Sequence, residues 1–219
     1  MGKLFVVATP IGNLKDITFR AVEVLKEVDL IACEDTRKTK ILLERYKIKT
    51  PLISYHQYSR VRRINYLINQ LKSDHDVALV TEAGTPGIAD PGQKLIEETV
   101  KSKIKVVCLP GPSAVTAALS VSGFKTDEFL FLGFLPKKKG RKKLIQDLKK
   151  EKRTLVIYES PYRILKTLQE LKLNLGDREA MVARELTKKF EEVYRGKLSK
   201  IINKIKTKGE FVIVIKGMS

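Results

Sequence analysis

Acids, hydroxyls and glycines recur in this chain directly after apolar runs. The clearest case is Thr81-Glu82-Ala83-Gly84-Thr85-Pro86-Gly87-Ile88-Ala89-Asp90-Pro91-Gly92, which follows Val77-Ala78-Leu79-Val80 and precedes a helical pattern from about Gln93. Glycine lets a ligand approach the backbone, and proline stiffens the turn. A rigid polar loop at the carboxyl end of a strand is where α/β proteins bind ligands. Residues 82–88 are therefore the candidate cradle, with Gly84 and Gly87 for close approach and Thr85 for hydrogen bonding. The same composition also serves a purely structural turn.

Further acids stand at strand ends: Glu34 and Asp35, Glu159, and Glu185. Such groups could accept a proton if burial or a like charge raised their pKa. His56 follows a third apolar run, where a substrate contact competes with a capping or packing role. Tyr158 fits a ligand contact or ordinary core packing. Two cysteines, Cys33 and Cys108, lie in strand-like runs and read as core thiols. With two histidines and no CxxC, no metal site is expected.

The elements that must position these residues alternate. Strands are predicted at 4–8, 30–33, 52–55, 77–80 and 105–109, with helices between them, so the first half should be a mostly parallel five-stranded sheet. Val61, Ile64, Leu67, Ile68 and Leu71 mark one helix face. Pro110-Gly111-Pro112-Ser113-Ala114 breaks the pattern, and a domain boundary is placed there: 1–110 and 111–219, both α/β. The second half has strands at 129–135, 154–158, 180–186, 192–195 and 211–215, several of them consecutive, which implies a mixed sheet.

The net charge is +18, and it is uneven. Residues 1–110 hold 18 basic and 13 acidic residues; residues 111–219 hold 25 and 12. A polyanionic partner is the natural inference, beside the plainer reading of a lysine-rich solvated surface. Basic clusters occur at Arg37-Lys38, at Arg60, Arg62 and Arg63, and between 137 and 153, which includes Lys138, Arg141 and Lys142. No apolar run is long enough for a membrane span, and the N-terminus turns polar too early for a signal peptide, so a cytoplasmic location is expected. Neither a GxGxxG turn after the first strand nor a GxxxxGK[ST] loop occurs, which disfavours dinucleotide and NTPase folds.

Eight motifs stand in order: residues 7–18 (VATPIGNLKDIT), Glu34-Asp35-Thr36-Arg37, Tyr55-His56, residues 83–88 (AGTPGI), Pro110-Gly111-Pro112-Ser113-Ala114, residues 131–136 (FLGFLP), Tyr158-Glu159-Ser160-Pro161 and Arg184-Glu185-Leu186-Thr187-Lys188. Together they resemble the 16S rRNA cytidine 2′-O-methyltransferase branch of the tetrapyrrole methylase superfamily, over nearly the whole chain. The resemblance implies S-adenosylmethionine as methyl donor, a ribose hydroxyl in the decoding region as acceptor, two α/β domains with the cofactor in the cleft between them, and a homodimer. Cofactor contacts are expected from Pro10 and from the loop read above as a cradle, Glu82, Gly84, Thr85, Pro86, Gly87 and Ile88; carried over position by position, the resemblance adds Ser113, Ala114, Tyr158, Glu159, Glu185 and Leu186. RNA contacts are expected from the basic clusters and His56. Glu82 is the expected proton acceptor. It stands where the family usually carries Asp, while Gln57 replaces a common Glu and Ala89 a common Ser. The chain ends at Ser219 just past the last strand, whereas many relatives continue, so an RNA-gripping role for such a segment is not expected here. The alternatives are a tetrapyrrole (precorrin-type) methyltransferase on the same fold and a non-catalytic RNA-binding assembly protein; the basic charge argues against the first and the intact 82–88 loop against the second.

Overall fold

The computed structural model describes residues 1–56 and 61–218. Two compact units divide the chain, Met1–Ser113 and Ala114–Ser219. The division falls after Ser113 rather than at Pro110 because residues 110–113 fold back on the first unit. A Cβ on Gly111 would lie 3.0 Å from the Ala8 Cβ, and the Pro112 carbonyl accepts from the Thr85 hydroxyl.

The first unit contains β1 (Leu4–Val7), β2 (Leu30–Cys33), β3 (Leu52–Ser54), β4 (Val77–Leu79) and β5 (Val106–Leu109). Their order is β3-β2-β4-β1-β5 and every pairing is parallel. Helices α1 (Phe19–Glu27), α2 (Thr36–Arg45), α3 (Val61–Lys72) and α4 (Gln93–Lys101) make the crossovers. Strand β4 is apolar at every position because both its faces are covered. Val77 and Leu79 pack with Leu67, Leu71 and Leu95 of α3 and α4. Ala78 packs on the other face with Leu25 and Leu43 of α1 and α2. Thr18 caps α1 by accepting from the Ala21 N–H, and Asp35 caps α2 by accepting from the Arg37 N–H. The two thiols differ: Cys33 is buried, whereas Cys108 is exposed because β5 is an edge strand.

The second unit contains α5 (Ala114–Ser120), β6 (Phe129–Phe134), α6 (Arg141–Asp147), β7 (Thr154–Glu159), α7 (Ile164–Leu175), β8 (Glu179–Arg184), β9 (Glu192–Lys197), α8 (Leu198–Ile202) and β10 (Phe211–Ile215). The order is β6-β7-β10-β8-β9, with β6 and β7 parallel and the remaining pairs antiparallel, a mixed sheet. Central β10 is wholly buried, and its side chains alternate between two cores. Phe211, Ile213 and Ile215 face Ile145, Leu168 and Ile201 of α6, α7 and α8. Val212 and Val214 face Val115 and Leu119 of α5. Among the described residues no helix is long and apolar enough to cross a membrane.

Candidate active site

A parallel sheet delivers all its carboxyl ends to one edge, so the motif loops of the first unit meet there. After β1 and β4 the chain forms a short antiparallel bridge: the Thr9 N–H donates to the Gly84 carbonyl at 2.9 Å and the Gly84 N–H returns to Thr9 at 2.9 Å. The Thr9 hydroxyl, 3% exposed, also donates to the Thr81 carbonyl at 3.2 Å. Pro10 and Pro86 are buried in this stitching, while Ile88 is half exposed at the loop tip. The loop closes on itself where the Gly87 N–H donates to the Pro91 carbonyl. It re-enters helix α4 through Gly92, whose φ of +134° excludes a side chain. A Cβ there would sit 2.9 Å from Leu79 Cδ2. The long Thr85–Pro112 contact ties this loop to the one after β5, which carries half-buried Ser113.

Charge gathers at the same edge. Glu82 accepts from the Lys38 ammonium, joining the β4 loop to the start of α2. Glu34, half-buried at the end of β2, has its carboxyl pushed up, first by burial and then by the Glu82 charge; His56 and Lys38 pull the other way. Its neighbour differs sharply. The Arg37 guanidinium and N–H hold the Asp35 carboxyl at about 2, with Arg37 Nη2 donating at 2.9 Å. Adjacent acids are thus split into a fixed anion that caps α2 and a carboxyl of raised affinity for a proton, the pattern by which acid–base sites are assembled. His56 is exposed beside them. Sequence reasoning left Glu34 as one acid among five. Which strand ends adjoin is decided by strand order, and β2 neighbours β4 only because β4 inserts between β2 and β1.

In the second unit the expected site residues are deeply tied into their own fold. Tyr158 packs edge-on against Phe131 and Phe134, with ring centroids 5.0 and 5.6 Å away. Glu159 is 2% exposed. Its carboxylate accepts from the Ser160 N–H (2.7 Å), Arg163 Nη2 (2.8 Å) and the Thr167 hydroxyl (2.6 Å). Glu185 has φ +55° and accepts from the Glu210 N–H and the Lys188 ammonium. Burial opposes its charge, yet these donors hold the carboxyl below its ordinary range. Leu186 is half-buried, and Ala114 opens α5.

Arg141 departs most from its expected role. It is 7% exposed, whereas the expected RNA contact needs an exposed side chain. Its Nε donates to Glu170 at 2.7 Å, Nη1 to the Pro136 carbonyl at 3.1 Å and Nη2 to the Thr167 hydroxyl at 2.7 Å. Thr167 passes the chain on to Glu159, so one buried network pins the 136–141 turn to α7 and to the end of β7. A signal for this was present: Arg141, Leu144, Ile145 and Leu148 fall at i, i+3, i+4 and i+7, one face of α6 and the turn that continues it. Lys138 and Lys142 are exposed, as are Arg37, Lys38 and Arg62, while Arg63 is half-buried. Arg60 lies outside the described residues, with Gln57 and Tyr58.

A family model described as Tetrapyrrole (Corrin/Porphyrin) Methylases matches residues 3–202. The chain is 49% identical to ribosomal RNA small subunit methyltransferase I of Thermotoga maritima, over 99% of both chains. It is 50% identical to the protein of that name from Synechocystis, covering 99% of this chain and 80% of the relative. The Bacillus subtilis counterpart is 47% identical, with 99% and 76% covered. Among solved structures, a diphthine synthase superposes with a TM-score of 0.78 at 16% identity, covering 98% of this chain and 90% of that one. A cobalt precorrin-4 methyltransferase gives 0.73 at 17%, covering 98% and 94%. At such identity these two likenesses concern the fold alone.

Proposed function

Since the chain belongs to the tetrapyrrole methylase family, in its ribosomal RNA small subunit methyltransferase I branch, we propose that it transfers a methyl group from S-adenosylmethionine to the ribose 2′-oxygen of a cytidine in the decoding region of 16S rRNA, as a cytoplasmic homodimer. The observation that carries this reading is 49% identity maintained over 99% of both chains with the Thermotoga maritima relative.

The loops at the sheet edge of the first unit suit such a donor. The 84–92 turn is compact because Gly84, Gly87 and Gly92 take positive φ, which holds the exposed tip of the loop in one shape at the sheet edge. Thr85 adds a hydroxyl and Ile88 an exposed apolar surface. When bound, S-adenosylmethionine supplies an electrophilic methyl on a sulfonium, which needs no metal. The residues of the chain have two tasks: to hold the acceptor hydroxyl in line and to take its proton. Glu34 is assigned the proton. What supports it over Glu82 is that Glu82 is engaged by Lys38, whereas burial and the Glu82 charge raise the proton affinity of Glu34. In this assignment the Lys38–Glu82 pair positions Glu34.

Labelled donor is to be incubated with small ribosomal subunits from a strain lacking the enzyme, and the RNA digested and mapped by mass. A single labelled ribose in the decoding region is expected. Donor binding without label would move the acceptor to a small molecule.

A second expectation concerns affinity. Lys138→Glu with Lys142→Glu should weaken RNA binding about tenfold and lower the slope of log affinity against log salt by roughly two, since each phosphate contact releases counterions. Fluorescence polarisation across a salt series reads both. Arg141 is left out of this test because its loss would disturb the fold.

A further inference from the structure

Sheet strands of the second unit have two ends, and only one carries the motif residues. Tyr158-Glu159 and Arg184-Glu185 lie where β7 and β8 finish. At the opposite edge, where β6 and β7 begin and β10 ends, lies a recess of about 290 Å³ lined by Lys125, Glu128, Lys152, Arg153, Lys216 and Gly217, with Thr154 and Met218. Four cations face one carboxylate.

The walls of this recess are built. Gly217 packs so tightly on the turn before β7 that a Cβ would fall 1.8 Å from the Lys152 carbonyl. The Met218 N–H donates to the Glu151 carbonyl at 2.9 Å. The Thr154 hydroxyl donates to the Lys125 carbonyl, fixing the opposite wall. Arg153 is oriented by Glu151 through Nε at 2.9 Å and Nη2 at 2.8 Å. Lys152 and Lys216 are exposed, and among the described residues neither has a carboxylate within ion-pairing distance. Arg153 is paired with Glu151 and Lys125 with Asp127, so Lys152 and Lys216 set against Glu128 leave the lining net positive, which favours an anion.

The recess also has a lead-in. Exposed lysines 137–139, 142, 143, 149 and 150 run from the end of β6, along α6, back to the start of β7. Arg178 holds the far end of that path by donating to the Lys149 and Glu151 carbonyls. Six residues of strand span about 20 Å, the reach of a few nucleotides. We propose that the Lys125–Lys152–Arg153–Lys216 recess binds a backbone phosphate of the substrate RNA, extending its footprint along α6 to the sheet edge remote from the motif loops. The inference rests on the RNA reading above. Phosphate contacts of this kind fix register without reading sequence.

The test measures binding of a fluorescein-labelled decoding-region RNA across a salt series. Four proteins are compared: wild type, Lys152→Glu/Lys216→Glu, Lys138→Glu/Lys142→Glu, and the charge-matched control Lys26→Glu/Lys72→Glu. The recess variant is expected to lose at least tenfold in affinity and about two units of salt slope, with donor affinity by calorimetry unchanged. Wild-type RNA affinity in the recess variant, with weakening in the α6 variant, would overturn the recess and leave the RNA reading standing. Equal weakening in the charge-matched control would overturn it as a long-range charge effect. Should wild type fail to bind RNA at all, both readings fall. Calorimetry with AMP separates the source: AMP binding lost in the recess variant, beside unchanged RNA affinity, would give the recess to a free nucleotide phosphate instead.

Discussion

Glu34→Gln is expected to lower methyl transfer about 100- to 1,000-fold while leaving donor affinity within a few-fold, the scale of loss when a positioned general base is removed. Its pH behaviour follows from the raised carboxyl. Only the ionised form accepts a proton, so wild-type turnover should climb with pH through a value above the ordinary 4.5. That acid limb should vanish in the Glu34 variant. Glu82→Gln should lose less, near tenfold, and should move the limb to lower pH, because it removes the like charge that helps hold the Glu34 proton. Stability should move the opposite way from activity. A carboxyl whose pKa is raised on folding stabilises the fold below its unfolded pKa, and that contribution is lost as pH rises through the raised value. At neutral pH the Glu34→Gln protein should therefore melt slightly above wild type, and the advantage should disappear in acid. A Glu82 variant that loses more turnover than the Glu34 variant, with the acid limb persisting in the latter, would return the proton to Glu82.

Arg141→Ala is expected to destabilise the second unit by roughly 3 kcal/mol, the cost of breaking a buried, hydrogen-bonded ion pair from one side. Three acceptors lose their donor at once: the Glu170 carboxylate, the Pro136 carbonyl and the Thr167 hydroxyl. Thr167 in turn orients on Glu159, whose side chain is shielded from water. Arg141→Lys should recover little, because an ammonium cannot reach three acceptors in a planar fork. Urea unfolding at pH 7, followed by tryptic cleavage in the 136–141 turn, reads both the stability and the place. A variant as stable as wild type but weakened toward RNA would restore Arg141 to the surface role that its charge suggested.

Local pattern alone determined a large part of this protein. Apolar runs at 4–8, 30–33 and 77–80, divided by amphipathic helices, required a parallel sheet, since consecutive parallel strands need crossovers. Consecutive strands after residue 179 required antiparallel pairing and so a mixed sheet. The Gly-Pro-Thr composition of 82–92 marked a tight loop after β4, because left-handed backbone is written in glycine positions. What needed the tertiary structure was every property that depends on neighbours distant in the chain. Glu34 and Glu82 stand 48 positions apart, and only insertion of β4 beside β2 brings their charges together. Arg141 and Lys142 are adjacent and alike in charge, yet one is buried in a network and the other exposed. Composition fixes how much charge a chain carries; packing fixes which of those charges lose their water or gain a partner, and these are the ones that shift a pKa or hold a fold together.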